Sequence, residues 1–148
     1  MFVEPVRTTL AEMKILFVCI KNASRSPMAE ALLKMSAKKK VKVYSAGIKP
    51  GKKVHEEVAN AMRELGYDLS GHQPRHISAF SDLIFDYVAK MDVPDLGDIV
   101  TAKWICDWDI PDPAHGGTAE YRKVRQRITD KIRAELPQLL AQRPKKRA

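Results

Sequence analysis

The chain has 148 residues, of which 45% are hydrophobic and 30% charged, and a formal net charge of +8. That length and apolar content support one domain with its own core and exclude wholesale disorder. The longest purely apolar run, residues 15–20, is far short of the ~20 residues of a spanning helix, so no membrane segment is expected.

Residues 1–12 carry Glu4, Pro5 and Arg7 and lack the apolar stretch of a secretory signal. They read as an N-terminal extension ahead of a domain over 13–141. Residues 14–19 form a buried-strand run (Ile15, Leu16, Phe17, Val18), and residues 19–25 a loop. Ser26-Pro27 is expected to open a helix, with Ser26 as the capping residue and Pro27 at the first helical position. Met28, Ala31, Leu32 and Met35 follow at helical spacing, and Lys38, Lys39 and Lys40 suit the helix C-terminus.

Residues 41–46 read as a second strand, turned by Gly47. A helix over 54–65 places Val58, Ala61, Met62 and Leu65 on one face and stops at Gly66. Residues 69–77 are a loop, residues 83–91 contain a third strand, and residues 92–97 are a loop with Pro94. A short fourth strand spans 103–106. After a loop over 107–117, residues 118–141 form a long basic helix broken or kinked near Pro137. Residues 120–148 hold ten basic and three acidic residues, ending in a basic tail over 142–148. This excess reads as a solvated face rather than a nucleic-acid surface, because no stacking aromatics accompany it.

Strands alternating with helices predict an α/β fold with a parallel sheet, whose strand C-termini share one edge where ligands usually bind. The Cys19 loop and the loop after Cys106 both emerge there. Cys19 and Cys106 are the two cysteines, too few for a disulfide scaffold and in keeping with a reducing cytoplasm.

The chemistry is concentrated in Cys19-Ile20-Lys21-Asn22-Ala23-Ser24-Arg25-Ser26, between a strand and a helix N-terminus. Main-chain N–H groups of such a loop can curl into an anion nest, and the helix dipole points to the same place. Arg25 adds a planar fork of donors that fits a tetrahedral oxyanion. In this field Cys19 is suited to act as a thiolate nucleophile on a bound phosphate. The Gly-rich pattern of a nucleotide-binding loop is absent. The Cys-to-Arg spacing is weak alone; the preceding strand and following helix make it specific. An ester's leaving oxygen needs a proton, and Asp112-Pro113 is the best candidate source, with Asp107 and Asp109 as competitors.

At this point the chain resembles the low-molecular-weight protein tyrosine phosphatases, from Lys14 to about Leu140. The resemblance rests on Ile15 to Cys19, Asn22, Arg25-Ser26-Pro27-Met28-Ala29-Glu30, Ser45-Ala46-Gly47, His72, Arg75, Phe85-Asp86-Tyr87-Val88, Met91-Asp92 and Asp112-Pro113. It implies a four-stranded parallel sheet with helices on both faces, a three-layer sandwich, and hydrolysis of phosphomonoesters without metal or cofactor. It also implies roles: Cys19 as nucleophile, Arg25 as phosphate clamp, Asp112 as general acid and base. Residues 20–26 would bind the phosphate. Asn22 would hold the loop in shape, Ser26 would stabilise the Cys19 thiolate, and Ser45 and His72 would support the same network.

The sequence departs from the family in places. Ser24 stands where many members have a second cysteine, so no disulfide can form within the loop. Lys21 stands where glycine is common, which would strain the backbone if φ there were positive. Ala114-His115-Gly116-Gly117 follows the Asp-Pro pair without aromatic residues, and Ile48-Lys49-Pro50-Gly51 offers no aromatic wall. Trp104 or Trp108 would have to compensate, or belong to the core or rim. The implied substrate is a phosphorylated protein or small phosphoester.

The same fold hosts thiol-dependent arsenate reductases, and residues 66–72 look similar to both branches. An internal thiol relay is poorly supported, since Met91 stands where its first cysteine would lie, so arsenate reduction would take an external thiol. A non-enzymatic phosphate-binding protein is the third reading.

Overall fold

Parallel strands buried on both faces read as unbroken apolar runs, and β1 (Met13–Cys19) is one, with Ile15 to Cys19 all buried. In the computed structural model, which describes residues 12–114 and 116–141, β1 lies at the centre of a four-stranded sheet. It pairs in parallel with β2 (Val41–Gly47) and β3 (Ile84–Lys90), and β3 pairs in parallel with β4 (Thr101–Asp107). The order is β2-β1-β3-β4. The N-terminal extension before Glu12, His115 and the basic tail over 142–148 lie outside the described residues.

Helices α1 (Arg25–Ser36), α2 (Glu56–Arg63) and α3 (Thr118–Glu135) pack on the face carrying Ile15, Phe17 and Cys19, in one core with Leu33, Met62 and Ile128. The opposite face, with Leu16, Val18 and Val88, is covered by a 3-10 turn (Ile77–Phe80) and by Val93, Leu96 and Val100 of the β3–β4 connection. The third layer of the sandwich is thus one 3-10 turn and a loop. The β3–β4 connection of ten residues is too short for a crossover α-helix.

Several local expectations are corrected. The helix over 54–65 is shorter, and Leu65 beyond its end is 41% exposed, as Met35 is at 47%. The fourth strand is longer than 103–106 because its partner β3 offers a full ladder. The C-terminal helix ends at Glu135 and Pro137 opens a separate 3-10 turn, since a proline there cannot donate to the helix. Trp108 is a core residue, 1% exposed, packed edge-on against Phe17 with its Nε1–H donating to Tyr87 Oη at 2.9 Å. Trp104 stands 68% exposed on the edge strand. Beyond α2, Glu64 accepts bonds from Arg122 and Arg125 of α3, which hold its carboxyl down to about 2. Among the described residues no helix is long and apolar enough to cross a membrane.

Candidate active site

The loop over 20–24 leaves β1 and enters α1 at the C-terminal edge of the sheet, and its carbonyls fix its shape. Ile20 O accepts from Lys49 N at 2.8 Å, Lys21 O from Gly51 N at 2.9 Å, and Ala23 O from His55 N at 2.9 Å. The N–H groups of residues 20–26 meet no main-chain acceptor among the described residues. A row of free donors at a helix N-terminus is a ready oxyanion site.

Asn22 pins the loop from inside. It is fully buried at φ 51, the left-handed region that asparagine tolerates. Its Nδ2 donates to Ser26 Oγ and Ser45 Oγ, each at 2.9 Å. Its Oδ1 accepts from Arg75 N at 3.0 Å and lies 3.0 Å from His72 Nε2. The left-handed residue is therefore Asn22 and not Lys21, so the lysine carries no backbone strain.

Gly47 closes the back of the loop. A Cβ there would stand 2.6 Å from Ile20 O, 2.8 Å from Asn22 N and 2.9 Å from Lys21 C, all main-chain atoms. Gly47→Ala should cost about 1–3 kcal/mol of stability. It should also weaken the binding of inorganic phosphate by about 10-fold or more through displacement of the loop's donors. Thermal denaturation and a phosphate titration check both.

Cys19 Sγ lies 2.9 Å from Ser26 Oγ, at the mouth of this row. Ser26 is not the capping residue expected from sequence. The helix begins at Arg25 with Ser24 at the N-cap, which makes no side-chain cap bond, and the Ser26 hydroxyl is engaged instead by Cys19 and Asn22. Arg25 is 4% exposed, and its Nη1 donates to Ile110 O at 3.0 Å. Two carboxylates flank it without closing on it: Asp112 Oδ2 at 3.8 Å and Asp92 Oδ2 at 3.9 Å. Asp112 is half exposed, and its Oδ1 accepts from Ala114 N at 3.0 Å, a turn that fixes the carboxylate. Its sequence competitors face elsewhere: Asp107 pairs with Lys90 at 3.4 Å and Asp109 with Arg127 at 3.5 Å.

Behind the loop, Ser45 Oγ donates to Glu30 Oε1. Glu30, buried in α1, also pairs with Lys34 at 2.7 Å and lies 3.7 Å from His72 Nδ1. Burial pushes the His72 imidazole below its ordinary value, against the pull of the Glu30 charge. Since the folded state disfavours its protonation, the stability it contributes is present above ~6.5 and lost as pH falls below that. Sequence reasoning assigned no role to Glu30 or Asp92. The signal for Glu30 is its place one turn after Ser26, a carboxylate followed by the apolar run Ala31, Leu32 and Leu33 of a buried helix.

Cys106 is not a partner for Cys19. It pairs with Ala89, which pairs with Phe17, so the cysteines are two strands and two residues apart. That is about 12 Å between Cα atoms, beyond the ~7 Å that a disulfide spans. Among the described residues no cluster of three or more His, Cys, Asp or Glu side chains is arranged to hold a metal ion.

Two relatives and one solved structure are informative. The low molecular weight protein-tyrosine-phosphatase YfkJ of Bacillus subtilis is 33% identical over 130 residues, covering 72% of this chain and 83% of the relative. The glutaredoxin arsenate reductase of a Synechocystis species is 29% identical over 124 residues, covering 80% and 92%. A solved arsenate reductase in its phosphate-binding state superposes with a TM-score of 0.77 at 28% identity, over 86% of this chain and 98% of that one. The family model described as low molecular weight phosphotyrosine protein phosphatase matches residues 14–147, and the chain belongs to that family.

Proposed function

We propose that the protein is a cysteine-dependent phosphomonoester hydrolase of the protein tyrosine phosphatase type. The supporting observation is one arrangement: the Cys19 sulfur beside a row of free N–H donors, with the buried Arg25 guanidinium closed by neither nearby carboxylate. Ser24 Oγ, also in the loop, is buried without a protein partner, an unsatisfied hydroxyl that a seated oxyanion would relieve.

In this reading the phosphate of the substrate sits on the N–H groups of residues 20–26 and in the fork of Arg25. The Cys19 thiolate attacks phosphorus, forming the S–P bond as the ester P–O bond breaks. Protonated Asp112 donates its proton to the leaving oxygen. Asp112, now a carboxylate, takes a proton from water, whose oxygen attacks phosphorus and releases phosphate and the thiolate. Ser26 holds the sulfur, and Asn22, Ser45 and His72 hold the loop. A reducing cytoplasm suits a chain whose cysteines are both free and too far apart to bridge.

The test is a leaving-group series. Vanadate-sensitive hydrolysis of p-nitrophenyl phosphate is expected from the wild type. Asp112→Asn should slow release of alkyl leaving groups by about 10²–10³-fold and affect the initial release of p-nitrophenolate little, while steady-state turnover of both falls because the base for water is lost. An Asp112→Asn profile parallel to wild type, with the loss appearing in Asp92→Asn instead, would move the acid to Asp92.

A second reading, arsenate reduction, is favoured by the reductase relatives. Arsenate would take the place of phosphate on Cys19. An external thiol would then form a mixed disulfide with Cys19 as arsenite leaves, the two sulfurs supplying two electrons. Arsenate-dependent oxidation of thioredoxin, glutaredoxin or a small thiol decides it.

A further inference from the structure

The segment that receives the loop carbonyls is basic. Lys49 and Gly51 donate to Ile20 O and Lys21 O, so residues 49–53 run directly against the oxyanion loop. Lys49, Lys52 and Lys53 are exposed, and among the described residues none lies within 4 Å of a carboxylate in an ion pair. The nearest acidic groups in sequence, Glu56 and Glu57, start α2, and Asp92 and Asp112 stand on the Arg25 side. The flank of the loop on this side is therefore cationic.

The segments around the loop, residues 20–24, 48–53, 92–95 and 111–117, supply no Phe, Tyr or Trp to stack on. Trp108 is buried in the core, and Trp104 lies within β4, three residues before its end. These segments thus offer no aromatic stacking to a leaving group, and the three lysines offer charge instead.

We propose that the substrate is a phosphorylated polypeptide segment whose neighbouring residues are Asp and Glu, gripped by Lys49, Lys52 and Lys53. The three lysines are strung over a stretch of up to about 14 Å, which suits an extended acidic chain better than a small polyanion. This assignment rests on the oxyanion site proposed above and adds the class of group attached to the phosphate. Long-range attraction by exposed lysines acts on encounter and is screened within a Debye length of ~8 Å at physiological salt, so the preference should be salt-dependent.

The experiment uses fluorescent phosphotyrosine peptides with acidic or neutral flanks. Binding is read with Cys19→Ser and turnover with wild type. At low salt, acidic flanks should tighten binding and raise kcat/KM by about 10-fold or more. The advantage, read as the ratio of acidic to neutral peptide within each variant so that any general loss of anion attraction cancels, should vanish in Lys49→Glu/Lys52→Glu/Lys53→Glu and shrink in the Gln triple variant. Equal affinity for both peptides overturns the proposal, as does an acidic preference that survives charge reversal. Preferential binding with no turnover by wild type supports this assignment while removing the hydrolase reading.

Discussion

Cys19→Ser should lose turnover of aryl phosphates by at least about 10⁴-fold while still binding inorganic phosphate within a few-fold of wild type. Binding survives because the donors are elsewhere: the N–H groups of residues 20–26 and the Arg25 guanidinium, which Ile110 O positions. Turnover fails because a hydroxyl at this position is a far weaker nucleophile than a thiolate, and Ser26 Oγ offers one hydrogen bond but no general base. Rapid acid quench and mass spectrometry provide an independent readout. Wild type and Cys106→Ser should carry a phosphoryl adduct, and Cys19→Ser none. A wild-type rate in Cys19→Ser would remove the mechanism entirely.

Asn22→Ala is expected to have the largest effect of any change that leaves the reacting groups intact. It deletes four hydrogen bonds from a fully buried side chain, to Ser26, Ser45, His72 and the Arg75 main chain. At about 0.5–1.5 kcal/mol each, the loss is about 2–6 kcal/mol, a large part of the stability of a domain this size. Calorimetry should show a drop in Tm of roughly 10 °C. kcat/KM should fall by about 10²–10³-fold, because the loop would lose its inner anchor and the donors their aim. Asn22→Gly separates conformation from bonding: it adopts φ 51 freely but restores no contact. Wild-type activity in Asn22→Gly would mean that the outer bonds from Lys49, Gly51 and His55 hold the loop unaided.

The parallel sheet and the loop between β1 and α1 were legible in the sequence because they rest on local signals. These are an apolar run, a helical spacing and a dense stretch of chemistry between them. Element ends were less legible. Ser26 reads as a cap in isolation, and only Cys19 and Asn22, brought close by the turn of the loop, show that its hydroxyl is already engaged. The place of Lys21 suggested strain that the structure puts at Asn22. Glu30 and Asp92 lacked assigned roles because their partners, Ser45, His72 and Arg25, come from other elements. The thin third layer follows from the short β3–β4 connection, on the face where the resemblance implies helices.

The unsatisfied donors at the start of α1 have a consequence for any measurement of folding. A ligand that binds only the native chain adds RT ln(1 + [L]/Kd) to its stability, about 2.7 kcal/mol at a hundredfold excess over Kd. Melting curves recorded in phosphate, sulfate or vanadate buffers would then report occupancy of this cradle together with the intrinsic stability of the sheet. Only a series extrapolated to zero oxyanion isolates the latter.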